Sequence, residues 1–128
     1  MATFPVTTGD VLTAGTYNSL PTFTVATANT TDYTAVLADQ YQVLELMNKA
    51  TAIAFKIPTN ASVAFPIGTA ITVLNIGSGT CTISAVTSGT TTILSAGAVA
   101  AAPTISQYKS AVCIKTATDT WYVVGGIA

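Results

Sequence analysis

A long tract without any charged residue limits what this chain can become. No Asp, Glu, Lys, Arg or His lies between Lys56 and Lys109. Over the whole chain charged residues make up 7%, against about a quarter in soluble domains. A surface so poor in charge must be hydrated by Thr and Ser hydroxyls or covered by other protein. The tract therefore predicts extensive contact surface, and it removes most of the groups that acid–base catalysis uses.

Length and composition place the chain among folded single domains. Its 128 residues fit one domain, and an apolar content of 50% is incompatible with a disordered chain. A net charge of −1 gives no attraction to nucleic acid or to an anionic membrane. Thr, Ser, Gly or Pro interrupts every window long enough for a membrane helix. The N-terminus lacks the basic start and apolar core of a signal peptide, so we expect a soluble protein made in the cytosol.

The chain divides at about residue 30. Residues 1–30 are rich in Thr and are punctuated by Pro5, Gly9, Gly15 and Pro21. They predict an extended N-terminal arm, with Asp10 as the N-cap of one short helix. Such an arm has no core of its own, so it either packs on the body or reaches a neighbour. Residues 31–128 form the predicted β domain.

Short apolar runs separated by turn residues fill the β domain. Ile53, Phe55 and Ile57 alternate with small or charged residues, which predicts a strand with one buried face. Gly77-Ser78-Gly79 predicts a hairpin turn between two further strands. The spacing of the runs indicates about eight short strands. The fold class predicted is all-β, a sandwich or barrel of antiparallel strands with an extended N-terminal arm.

Groups that carry chemistry are few. Histidine is absent, and the five carboxylates mostly occupy turn-like positions where Asp bonds its own backbone; they are Asp10, Asp32, Asp39, Glu45 and Asp119. Two carboxylates that converged in a cleft would revive an enzyme such as a cell-wall hydrolase. Cys81 and Cys113 predict two buried free thiols, although a cross-strand disulfide stays open. We expect no enzyme, no metal site and no cofactor.

Aromatic and basic residues suggest contact surfaces. Trp121, Tyr122, Tyr108, Tyr41 and Phe55 can be interpreted as a sugar-binding platform, but we favour Trp121 and Phe55 as core and the tyrosines as interface. The full set of candidate interface residues is Phe4, Val11, Leu12, Tyr17, Tyr108, Trp121 and Tyr122. Lys109 and Lys115 are expected on a hydrated or inter-subunit strand face, with their stems on apolar surface.

Several segments, in order, carry a resemblance to a known family. Thr8 to Ala14, followed by Asn18, resembles the opening of tailed-phage virion proteins. Tyr33 to Gln40 and Phe55 to Pro58 are similar to two strand segments of a small β domain in those proteins. The match continues through Ala64 to Val73, Gly77 to Ile83, Gln107-Tyr108, Ile114-Lys115 and Thr120 to Gly126. The resemblance covers most of the chain.

This resemblance implies a structural protein of a tailed bacteriophage particle, located in the virion and often homotrimeric. Because the chain consists of the domain and a thin arm without a fibre shaft, we expect a capsid decoration (cement) protein that binds the major capsid protein or other virion proteins. A tail fibre or tail-tip domain for host attachment is the first alternative, and a carbohydrate-binding module is another. The three-fold contact is expected to use strand faces of the charge-free tract, while residues 1–30 hold the neighbouring subunit.

Overall fold

The computed structural model describes residues 22–95 and 102–127, and these residues form strands and a single 3₁₀ turn at Leu37–Gln40. Alternation of apolar and polar residues, together with many β-branched side chains, favours strands throughout. The strands are β1 (Thr24–Val25), β2 (Tyr33–Thr34), β3 (Val43–Met47), β4 (Ile53–Ile57), β5 (Ala70–Asn75), β6 (Cys81–Ala85), β7 (Thr92–Leu94), β8 (Thr104–Ile105), β9 (Ser110–Ala117) and β10 (Thr120–Gly125).

The strands form two sheets that do not close into a barrel. One sheet has six strands in the order β1-β3-β5-β9-β10-β7, and the other has four in the order β2-β4-β6-β8. From β1 to β9 each successive strand enters the opposite sheet, so strands of similar direction become neighbours within a sheet. The pairs β1–β3, β3–β5, β2–β4, β4–β6 and β7–β10 are parallel. Only β5–β9, β9–β10 and β6–β8 are antiparallel among the paired strands described.

The expectation of antiparallel strands is therefore wrong for most of the fold. Gly77-Ser78-Gly79 does not close a hairpin, because β5 and β6 belong to different sheets. It forms an arch that carries the chain across the core. A strand in an arch buries one face just as a strand in a hairpin does, so the alternation of side chains is identical in the two cases.

One core lies between the inner faces of the two sheets. Ile71 and Val73 of β5 face Phe55 and Ile83 of the smaller sheet's strands within a single cluster of buried side chains. All four are fully buried, as the period-2 pattern predicted for β4 and β6. Cys81 and Cys113 are both buried and both free, which confirms the predicted thiols.

Consecutive arches stack on one another. The Gly77 amide donates to the Met47 carbonyl and the Gly79 amide to the Lys49 carbonyl, at 3.2 and 2.8 Å. A Cβ on Gly79 would lie 1.9 Å from the Thr51 carbonyl oxygen, so only glycine permits this approach. The buried Asn75 amide bonds the Gly79 and Ile105 carbonyls, each at 2.8 Å.

Residues 22–30, which fall in the predicted arm, join the body through β1. The Thr24 amide donates to the Gln42 carbonyl and the Ala26 amide to the Leu44 carbonyl, at 2.8 and 3.0 Å. The rest of the predicted arm, residues 1–21, lies outside the described residues. Within the described part of the chain, no helix is long and apolar enough to span a membrane.

Candidate functional site

The outer face of the six-stranded sheet is the most unusual surface of the described residues. Because side chains alternate along a strand, the neighbours of buried Ile71, Val73, Ala111 and Cys113 point away from the core. The outward positions in the central part of the four strands β3, β5, β9 and β10 are Leu44, Leu46, Ala70, Thr72, Leu74, Ser110, Val112, Ile114, Tyr122 and Val124. None of these residues carries a charge. We call this set the outer face.

Cross-strand register arranges the outer face into rows. Leu44, Thr72, Val112 and Val124 form the middle row, since each is the Cα partner of the next. In the central pair of strands, the two end rows join a small side chain to a larger one, and the row between them joins two side chains of similar size. The partners are Ala70 with Ile114, Thr72 with Val112, and Leu74 with Ser110. The surface therefore has a regular relief of knobs and hollows.

The corresponding face of the four-stranded sheet is polar. Its outward positions are Thr34, Ala54, Lys56, Thr82, Ser84 and Thr104. Lys56 lies 3.9 Å from the Asp32 carboxylate, and both side chains are about half exposed. The hydroxyls and the ion pair on this side of the molecule bind water. The two outer faces thus differ in chemistry, and only one of them lacks hydrophilic cover.

The predicted interface residues are spread over different environments. Tyr108 and Tyr122 are exposed, at 76% and 44%, and their role as interface residues stays a prediction. Trp121 is 1% exposed and packs edge-on against Phe65, with ring centroids 5.5 Å apart. Its assignment to an interface is wrong, because the core of its own chain covers it. Phe4, Val11, Leu12 and Tyr17 lie outside the described residues.

Lys115 corrects another expectation. Its side chain is 2% exposed and lies on the core side of β9, in phase with Ala111 and Cys113. The ammonium donates to the Asn60 Oδ1 at 2.6 Å and to the Phe65 carbonyl at 2.7 Å. The placement of Lys115 on a hydrated or inter-subunit face is therefore wrong. Neutral oxygens satisfy this cation inside the fold.

Two carboxylates do converge, but inside the protein. Asp39 and Glu45 are 3% and 2% exposed. The Asp39 Oδ2 accepts the Tyr33 hydroxyl hydrogen at 2.7 Å and the Val36 amide at 2.9 Å. Burial, together with the hydrogen bond and negative charge of Asp39, raises the pKa of the Glu45 carboxyl to about 7. Both carboxyl groups are covered by the protein's own side chains, so this convergence lies in the interior and not in an open cleft.

Tyr33 completes this cluster. Burial and its hydrogen bond to Asp39 raise the pKa of the Tyr33 hydroxyl well above its ordinary value. The Asn29 amide donates to Glu45 at 3.3 Å and to the Leu46 carbonyl at 3.2 Å. The cluster thereby fastens the segment after β1 to strand β3. Sequence interpretation missed it, although Glu45 shares its strand face with buried Met47.

A shallow groove opens beside the outer face. It has a volume of about 520 Å³, and its walls come from Phe23, from Gln40 with Gln42, and from residues 66–70 with Thr72. Ala70 and Thr72 are shared with the outer face. Phe23 is 54% exposed, and Gln42 has a positive φ of 54°, which is uncommon for a residue other than glycine. Among the residues described, no group of three potential metal ligands occurs.

Comparison of the chain with protein-family models, with curated proteins and with solved structures gives no match.

Proposed function

We propose that this protein is a structural component of a tailed-phage virion, and specifically a capsid decoration (cement) protein. The observation that carries the proposal is the charge-free outer face. A surface of this kind is buried against protein without desolvating any ion. Desolvation of an ion costs several kcal/mol. The sequence resemblance to tailed-phage virion proteins supplies the biological setting.

The distribution of polar groups supports a role in assembly over a role in catalysis. The converging carboxylates, Asp39 and Glu45, are covered, and the buried amine of Lys115 is satisfied by neutral oxygens. Cys81 and Cys113 are also buried, and burial raises the pKa values of their thiols to about 11 and about 12. These reactive groups serve the fold, whereas the exposed surface offers apolar area and hydroxyls.

In this proposal the protein stabilises the capsid shell through contacts between subunits. Self-association, as the homotrimer that the resemblance implies, brings copies together, and residues 1–30 hold the neighbouring subunit. Burial of apolar surface contributes about 25 cal/mol per Å² before the costs of association. No nucleic acid and no membrane partner is invoked, since the net charge is −1.

Particle binding tests the proposal. Purified protein is added to phage capsids that lack it, and sedimentation measures both the bound amount and the capsids' resistance to heat or low salt. We expect saturable binding and a higher disruption temperature. A variant that lacks residues 1–20 should bind less, with unchanged folding by circular dichroism. Capsids that neither bind the full chain nor gain stability would refute the cement role.

A carbohydrate-binding module is the second candidate, and the groove beside the outer face favours it. An exposed aromatic ring (Phe23) next to the side-chain amides of Gln40 and Gln42 matches the apolar and polar sides of a sugar. Titration of the wild-type protein and of Phe23→Ala with bacterial surface glycans, compared by binding affinity, tests this candidate. Binding that is lost in this variant would favour host attachment over capsid stabilisation.

A further inference from the structure

We infer that the outer face is the contact between two copies of this chain, packed face to face about a two-fold axis. The inference concerns the same surface as the proposed function, but its geometry stands on the sheet alone. It rests on the relief of the outer face, the place of that relief in the strand order, and the absence of charge.

The relief fits itself. Strands β5 and β9 form the centre of the six-stranded sheet, with two strands on either side. A two-fold axis that runs between them, parallel to the strands, places β9 of the second copy over β5 of the first at the same height. Ala70 then meets Ile114 of the second copy, and Leu74 meets Ser110 of the second copy. In these two rows each large side chain faces a small one, as interdigitating sheets require, and between them Thr72 meets Val112 of the second copy, which is similar in size.

One row of the flanking strands follows the same rule, whereas in the middle row Leu44 faces Val124 of the second copy, so two larger side chains meet there. The axis carries β10 of the second copy over β3 of the first. In the row of Leu74 and Ser110, Leu46 lies on β3, and the Gly126 amide bonds the Ser110 carbonyl at 2.7 Å on the opposite side. Leu46 therefore faces Gly126 of the second copy. Sheets packed in this way cross at about 30°, so the match is closest near the axis, where β5 and β9 lie.

Absence of charge favours a second copy over a foreign protein. A two-fold contact sets each residue near its own counterpart, so a charged face would repel itself. The outer face has no charged residue among its ten members. A foreign partner is usually selected by complementary charge, and this face offers none. Packing of the face against a second copy of itself needs no complementary charge.

The outer face alone is smaller than a stable interface, so residues around it must also contribute to the contact. Four strands at about 4.8 Å spacing and about six residues of length give a projected area of about 300–400 Å². A stable interface buries about 800 Å² per partner. The outer face therefore supplies the apolar centre of the contact, and exposed side chains at its margin, Val25 and Tyr108 among them, supply the rim.

Light scattering on the full-length chain tests the pairing. We expect the mass of an even number of copies, two if this contact acts alone and six if two trimers pair. Val112→Asp puts an unpaired carboxylate at the centre of the contact and should weaken pairing by about a hundredfold or more. Thr82→Asp, at a matching half-buried position on the polar outer face, should leave the mass unchanged. Thermal unfolding of both variants verifies that they fold.

Other results would overturn the pairing. A monomer at micromolar concentration, or a trimer whose mass is insensitive to Val112→Asp, is incompatible with it. A monomer that pairs only after residues 1–21 are deleted would identify the chain's own N-terminus as the occupant of the face. Particle binding is measured separately. A protein that pairs but does not bind capsids would therefore refute only the cement role. A protein that binds capsids as a monomer would refute only the pairing.

Discussion

The ammonium of Lys115 lies 2.6 Å from the side-chain oxygen of Asn60, and this contact ties strand β9 to the loop between β4 and β5. Asn60 is also held through its backbone, because its main-chain N–H donates to the Asp119 Oδ1 at 2.6 Å. Among the described residues the ion pair is Lys56 with Asp32, so the buried lysine is stabilised by neutral oxygens alone. Its cost of burial is offset by hydrogen bonds.

Replacement of this lysine should destabilise the fold. Lys115→Met keeps the length and apolar stem but leaves the Asn60 and Phe65 oxygens without their donor. We expect a loss of about 1–3 kcal/mol in the free energy of unfolding, measured by urea titration. Lys56→Met is the control, since its exposed ion pair contributes less than about 1 kcal/mol. Equal stability of the two variants would contradict the assigned role.

The stacked arches predict a second result. Gly79→Ala brings a Cβ within 1.9 Å of the Thr51 carbonyl oxygen, so the two arches must separate. A loss of about 1–3 kcal/mol in unfolding free energy is expected, as for other overpacked sites. Ser78→Ala, in the same arch but exposed, should change stability by less than about 0.5 kcal/mol. If Gly79→Ala unfolds at the wild-type urea concentration, the arches do not stack as described.

The cysteines allow a third check. Cys81 and Cys113 are fully buried, and burial raises the pKa of each thiol, so neither should react with a thiol reagent in the native state. Addition of denaturant should release two reactive thiols per chain, with or without a reductant. Thiols that appear only after reduction would indicate a disulfide in place of the free pair.

The positions of strands could be predicted from the sequence, but their partners could not. Ile53, Phe55 and Ile57 were predicted to share a buried face, and all three lie in the core. Pairing depends instead on whether a turn reverses the chain within a sheet or carries it to the opposite sheet. Gly77 and Gly79 are compatible with a hairpin and with an arch. The arch is distinguished by its stacking against Lys49 and Thr51, which is a long-range contact.

Recognition of the candidate site has a similar limit. The charge-free tract predicted hidden contact area, which stays a prediction. Of the outer face only Ala70, Thr72 and Leu74 of β5 lie in that tract, because β9 begins after Lys109. Which side of each strand is exposed follows only from the packing of the two sheets. Lys115 and Glu45 show the difficulty, because polar residues on a buried strand face look like solvent-facing ones until their partners are known.

The raised pKa of the buried Glu45 carboxyl also makes stability depend on pH. Glu45 and Asp39 are buried together with Tyr33 and Asn29 around them, and no Lys among the described residues pairs with either carboxylate. Two negative charges at such a site repel each other in a low-dielectric setting. The folded state therefore holds a proton that the unfolded chain releases.

The pH range of this effect follows from the pKa of Glu45, which burial raises from 4.5 to about 7 on folding. Between these values the folded state binds more protons than the unfolded one, so stability is fully present below pH 4.5 and is lost as pH rises through 7. The loss should be on the order of 3 kcal/mol, measured as unfolding free energy at several pH values. Glu45→Gln should flatten this slope, whereas Asp32→Asn, an exposed carboxylate, should not. A slope that persists in Glu45→Gln would place the titrating group elsewhere.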